Sequence, residues 1–248
     1  MKLVIRIAVT NILVFILNGC FYENQERFDK QNLNSDLLVS YSFDEDSGAT
    51  ANNSENESWN GLLNGVGRID SPNGQAINFS MSTSSIEIDT NKSHVSPSNL
   101  PIDKQQITIE AFVRISTVSE GDVFTILGSD YSNYHVRFQL VAGKPEFSII
   151  GRDGVTNNVI SSSTVLGVNQ WYHLVLTYNG SESVIYIDGQ MDTENSIIYT
   201  LPETLGSLNI GGSKLTNYYF LGDIDEFRLH NIALTSQQVI NRYDSLNH

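Results

Sequence analysis

Cysteine is almost missing from this chain: Cys20 is the only one among 248 residues. No intramolecular disulfide can form, so a folded body must rest on a buried core, which about 210 residues can supply as one all-β domain. Positive charge is scarce too. Lys and Arg number 14 against 28 Asp and Glu, a formal charge of −14 at pH 7. Polyanions are repelled over about a Debye length, roughly 8–10 Å, which excludes nucleic acid as a partner. Charged residues make up 17%, below the roughly 25% of an average soluble domain. Asn, Ser and Thr take their place, as suits an extracellular or periplasmic surface. Metal and phosphate motifs are absent: there is no H-E-x-x-H pair and no phosphate-cradling glycine loop. His94, His135, His230 and His248 show no ligand spacing.

A membrane-spanning run is lacking as well. Lys2 and Arg6 precede an apolar run, Ile7 to Leu17, of 11 residues interrupted by Thr10 and Asn11. A spanning helix requires about 20, so residues 1–19 are expected to be an export signal. Leu17-Asn18-Gly19-Cys20 at its end resembles the lipobox of bacterial lipoprotein signal peptides, which implies a lipid on Cys20 and attachment to the cell envelope. Phe21 after the cysteine leans towards the outer membrane in a Gram-negative source. Residues 20–36 carry no sustained apolar period and are expected to tether the lipid to a domain spanning 37–248.

What is present from residue 37 onward is alternation. Leu37 to Phe43, Gln75 to Phe79, Ser85 to Asp89, Ile107 to Arg114, Val123 to Leu127, Tyr134 to Leu140, Glu146 to Ile150 and Asn158 to Ser162 follow one another with Gly or Asn between them, as strands of an all-β fold do. Thr50 to Gly67 reads as a long polar loop. The most informative stretch is Trp171 to Gly189. Two β-rich runs, Trp171 to Tyr178 and Val184 to Ile187, flank Asn179-Gly180-Ser181-Glu182-Ser183 and predict a hairpin with a five-residue loop, followed by a tight reversal at Asp188-Gly189. The first run is apolar on both alternating sets, which places it centrally with both faces covered. One helix is expected near the end. Thr235 and Gln238 form a capping box, and Leu234 with Val239 a hydrophobic staple, for a helix running to about Tyr243.

Five stretches, in order, resemble the LamG-like jelly-roll domain of the concanavalin A-like lectin/glucanase fold. They are Tyr41 to Gly48, Gly74 to Phe79, Ile107 to Arg114 with Phe112 where the family has tryptophan, the hairpin Trp171 to Gly189, and Phe220 to Leu234. The resemblance implies a two-sheet antiparallel jelly-roll sandwich with a short C-terminal helix. It also implies a recognition role rather than catalysis, and a structural calcium supplied by Asp44, Asp46, Asp223 and Asp225. Asn53 departs from the aspartate of many relatives.

Hydrolysis by a retaining glycosidase needs two carboxylates about 5–5.5 Å apart. Glu87-Ile88-Asp89 begins the strand pattern, but Asn91 and Lys92 stand where the acid belongs. Asp223 and Asp225 share a strand face while alternation sends Glu226 to the other. His173, inside the central strand, is expected to be a buried, hydrogen-bonded imidazole rather than a base or metal ligand. For glycan binding, aromatic rings must stack on sugar C–H faces beside amides and carboxylates. Trp59, Tyr131, Tyr134, Tyr218 and Tyr219, in or next to polar loops with Asn133 and Asn217 nearby, are the candidates. The expectation is a non-catalytic, surface-anchored domain whose partner is a glycan; a protein-interaction or structural module and a divergent glycoside hydrolase are the alternatives.

Overall fold

The computed structural model describes residues 36–80, 85–88, 100–102, 105–130, 135–150, 157–196, 198–201, 204–205, 207–212 and 218–246. The expected signal and Cys20 lie outside them, as do Tyr131, Tyr134 and Asp89. Among the described residues the strands are β1 (Leu37–Tyr41), β2 (Thr50–Ala51), β3 (Gly61–Asn64), β4 (Gly67–Ser71), β5 (Gly74–Phe79), β6 (Ser85–Ile88), β7 (Leu100–Pro101), β8 (Ile107–Ile115), β9 (Val123–Asp130), β10 (His135–Val141), β11 (Lys144–Ile150), β12 (Asn157–Ser161), β13 (Trp171–Tyr178), β14 (Glu182–Ile187), β15 (Gln190–Ser196), β16 (Thr204–Leu205), β17 (Ser207–Ile210) and β18 (Gly222–His230). Helix α1 (Ser236–Leu246) follows.

Two large antiparallel sheets result, and β7 pairs with β16 in a separate two-stranded one. The first runs β15-β14-β13-β8-β18-β5-β4, with β1 also paired to β18; the second runs β12-β11-β10-β9-β17-β6-β3-β2. Strict alternation turns one set from each sheet inward. Ile109, Ala111 and Val113 of β8, Leu174, Leu176 and Tyr178 of β13, and Ile224 and Leu229 of β18 meet Phe124, Ile126, Phe138, Leu140 and Phe147 of the second sheet in one buried cluster. Each large side chain so buried contributes about 1.5–3 kcal/mol, and the chain folds without a disulfide on that basis.

The central hairpin is as the alternation requires, with one difference. β13 sits between β8 and β14, its Leu174 set in the core and its His173 and Val175 set buried on the other face. The loop is shorter than five residues, because β14 starts at Glu182. Asn179 Oδ1 accepts the N–H groups of Ser181 (3.0 Å) and Glu182 (2.9 Å), closing the turn over Asn179–Ser181 with Gly180 at φ 97°. Asp188 and Gly189 both take positive φ (50° and 73°), the signature of a two-residue hairpin turn matched to strand twist.

The capping box forms: Gln238 N–H donates to Thr235 Oγ1 (3.3 Å) and Thr235 N–H to Gln238 Oε1 (2.8 Å). Leu234 and Val239 are buried beneath it. Helix α1 continues to Leu246, three residues beyond the expected end, because Leu246 is itself buried. At one side of the sandwich, β15 and β12 are edge strands of the two sheets. Asp192 of β15 bridges them, accepting hydrogen bonds from Ser162 Oγ (2.7 Å), Ser163 N–H (2.9 Å) and Thr164 Oγ1 (2.5 Å). These donors outweigh the upward pull of partial burial and hold its carboxyl well below the ordinary range.

Candidate functional site

The outward face of the first sheet carries most of the buried charge. Glu110 of β8 is fully buried. His173 Nε2 lies 3.1 Å from Glu110 Oε1, Arg228 Nη1 3.4 Å and Arg242 Nη2 3.3 Å, and His230 Nε2 is 3.9 Å from Oε2. Burial alone would raise the pKa of Glu110. Its contacts with His173 and His230 and the charges of Arg242 and Arg228 outweigh that and hold it well below the ordinary range. His173 is thus a buried imidazole with a partner, as its position in the strand predicts. Tyr243 of α1 stacks on it at 5.9 Å, so the helix roofs the cluster.

A β-bulge corrects one sequence expectation. The β18–β8 register shifts between Asp225 and Arg228, with Glu226 at φ 48°. The bulge re-aims Glu226, which pairs with Arg228 on the same face as Glu110 instead of pointing away.

The four carboxylates expected to hold calcium do not converge. Asp223 accepts from Arg114 Nε (2.7 Å) and Asn78 Nδ2 (2.6 Å), and Asp46 is exposed. Asp44 and Asp225 do approach. Asp225 is fully buried and accepts hydrogen bonds from Ser71 Oγ and Glu226 N–H. Burial first, then the charges of Glu226 and Asp44, push its pKa up to about 7. Asp44 Oδ1 accepts Gln75 N–H at 2.9 Å. Among the described residues no group of three or more His, Cys, Asp or Glu is arranged to hold a metal. Asn53, the departure from the family pattern, is structural: its Oδ1 accepts Ser40 N–H (2.9 Å) and its Nδ2 donates to Leu38 O (3.1 Å).

Of the aromatic candidates, Trp59, Tyr218 and Tyr219 lie among the described residues. Trp59 packs against the core, and its carbonyl accepts the Tyr41 hydroxyl. Tyr219 lies over Gly212, whose other neighbour, Ser85, pairs with Asn64 at the far end of β3. Tyr218 is exposed.

Sequence reasoning missed a polar band on the outward face of the second sheet. Its side chains alternate with core residues: Ser161 of β12, Glu146 and Ser148 of β11, Arg137 and Gln139 of β10, Thr125 of β9, Asn209 of β17 and Glu87 of β6. Cross-strand register aligns Ser161, Glu146, Gln139 and Thr125 in one row. Gln139 Nε2 donates to Glu146 Oε1 (2.8 Å) and Ser161 Oγ to Glu146 Oε2 (2.9 Å). Thr125 and Gln139 are more than nine-tenths buried, yet Thr125 Oγ1 and Gln139 Oε1 have no hydrogen-bond partner among the described residues. The available signal was the polar set of each strand, which reads as mere solvent exposure until register joins the sets. Glu87 and Glu146 stand four strands apart, roughly 19 Å along the sheet, well outside the approximately 5–9.5 Å that glycosidase carboxylate pairs require.

Residues 89–240 match the family model of the concanavalin A-like lectin/glucanases superfamily. The match takes in more than half of the chain, and the chain belongs to that superfamily. Solved structures share its fold. The binding domain of Paraclostridial Mosquitocidal Protein 1 superposes with a TM-score of 0.66 at 18% identity, over 86% of this chain and 53% of that one. The receptor binding domain of botulinum neurotoxin C/D mosaic serotype gives 0.64 at 14%, over 86% and 52%. The binding domain of botulinum neurotoxin DC, in complex with rat synaptotagmin II, gives 0.66 at 15%, over 87% and 53%. The chain therefore spans about half the length of these structures, and the likeness is one of fold. No curated protein matches the chain.

Proposed function

We propose that this protein is a non-catalytic recognition domain, held on a bacterial cell envelope by lipid on Cys20, that binds a carbohydrate across the outward face of the second sheet. The observation carrying this reading is the adjacent pair Thr125 Oγ1 and Gln139 Oε1, buried without partners among the described residues. An unpaired buried polar atom costs about 1–3 kcal/mol, a cost that hydroxyl groups of a ligand relieve. The wide spacing of Glu87 and Glu146 supports binding over hydrolysis, and the receptor-binding roles named for the structural neighbours accord with recognition. Those neighbours, one of them bound to a protein, also support a protein partner as the second reading; exposed Ile198 and Met191 are where it would show. Asp44 and Asp225 are the pair through which a calcium ion would act, with backbone carbonyls completing its oxygen shell.

The test passes a soluble form starting after Cys20 over immobilised polysaccharides. Saturable retention on one glycan class, weakened at least tenfold in a Thr125→Val/Gln139→Leu variant that remains folded, is expected. Folded protein with no retention on any glycan transfers the assignment to protein recognition.

A further inference from the structure

On the opposite side of the sandwich a second arrangement is unexplained by the polar band. Register places Trp171, Arg114, Asp223, Asn78 and Gly67 in one row across β13, β8, β18, β5 and β4. Arg114 is fixed from two directions. Its Nε donates to Asp223 Oδ2 at 2.7 Å, and its Cζ lies 5.0 Å from the centroid of the Trp171 ring. The Trp171 ring also stacks on Phe112 at 4.9 Å with the planes 9° apart. Asp223 is spent on this support: its other oxygen accepts from Asn78 Nδ2 at 2.6 Å, and its side chain is 3% exposed against 33% for Arg114. The Nη1 and Nη2 groups of Arg114 have no partner among the described residues.

A guanidinium held by a carboxylate behind it and an aromatic plane beside it has little rotamer freedom left to lose, and its outer edge keeps a planar pair of donors. We propose that Arg114 is a carboxylate receptor: Nη1 and Nη2 bind the two oxygens of a ligand carboxylate side by side, on a shelf that Gly67 leaves flat beyond Asn78. The choice among anions follows from charge. A planar, singly charged carboxylate matches the fork, whereas a polyanion meets the repulsion of a chain with net charge −14. The ligand class is an acidic sugar such as a uronic acid. Only that choice of carrier rests on the glycan reading above; the receptor itself does not.

The experiment titrates the full-length protein, arginine-labelled with 15N in detergent micelles at about 0.15 M salt, where exposed charges are screened, with sodium glucuronate, sodium acetate and glucose. The Arg114 Nε–H signal is assigned by its loss in Arg114→Lys. A saturable shift of that signal with glucuronate and none with glucose is expected. A weaker saturable shift with acetate supports the receptor and adds that the sugar ring contributes. No saturable shift with either carboxylate overturns the proposal; Arg114→Lys serves only to assign the signal, and the titration is made on the wild-type protein. The Thr125→Val/Gln139→Leu protein should give the same glucuronate titration as wild type, so failure of the polar band and failure of this site are told apart.

Discussion

At the scale of single residues the least comfortable group is Asp225. Its folded pKa, raised to about 7 from 3.8, sets the sign of a pH effect. The folded state holds a proton that the unfolded chain releases, so the contribution to stability is fully present below about pH 4 and is lost as pH rises through about 7. A shift of this size corresponds to roughly 4 kcal/mol at most. Asp225→Asn keeps the shape and removes the charge. The variant is expected to gain on wild type as pH rises from 5 to 8, with the difference read from urea midpoints at fixed m; a difference that stays constant over this range contradicts the assignment. Residue identities made part of this legible. Asp225 was visible as an acidic strand residue and His173 as a buried imidazole. The bulge that carries Glu226 to the other face was not, because a one-residue insertion in the register leaves no periodic mark.

At the scale of elements the C-terminal helix shows how local and tertiary signals divide. Thr235, Gln238, Leu234 and Val239 announced its start, since capping is written in adjacent residues. What seats it could not be read there: Arg242 reaches Glu110, 132 positions earlier in the chain, and Tyr243 covers His173. Arg242→Ala removes one of the two guanidinium partners of Glu110 and leaves Arg228. It is expected to destabilise the protein by about 1–3 kcal/mol and to speed amide hydrogen exchange in 236–246 more than in β13. Because Glu110 has a depressed pKa, its contribution is present above about pH 4.5 and lost on acidification, so the Arg242→Ala penalty should hold from pH 5 to 8 and shrink only below. Equal exchange in helix and strand would mean that Arg242 does not anchor the helix. Strand legibility followed the same division. Long strands with an apolar set, β8 and β13, were found nearly to the residue. β15, with the sequence QMDTENS, was missed because an edge strand needs no apolar alternation, and β2 and β3 were hidden in what reads as a polar loop.

At the scale of the whole molecule the decisive fact is that the two outward faces are different surfaces. Asp44 and Asp225 belong to the outward side of the first sheet, and the polar band of Glu146, Gln139 and Thr125 to that of the second. A packed core about 10 Å thick lies between them, so an ion on one side makes no contact with a ligand on the other. The sequence could not separate these sites: register and sheet membership assign them to opposite sides, and both are products of long-range pairing. Calcium and glycan should therefore act through different observables. Calcium bound as proposed at Asp44 and Asp225 would neutralise the buried charge, so it is expected to raise the melting temperature at pH 7.5 in wild type and to leave Asp225→Asn unchanged. EDTA should lower the wild-type melting temperature without altering retention on the glycan matrix at temperatures where the protein is folded. The two sites share only the folded state, and a ligand that binds that state adds to its stability without changing another site's intrinsic affinity. Loss of glycan retention in EDTA, in protein still folded, would demand coupling through the core and would place the ligand on the acidic side of the sandwich instead.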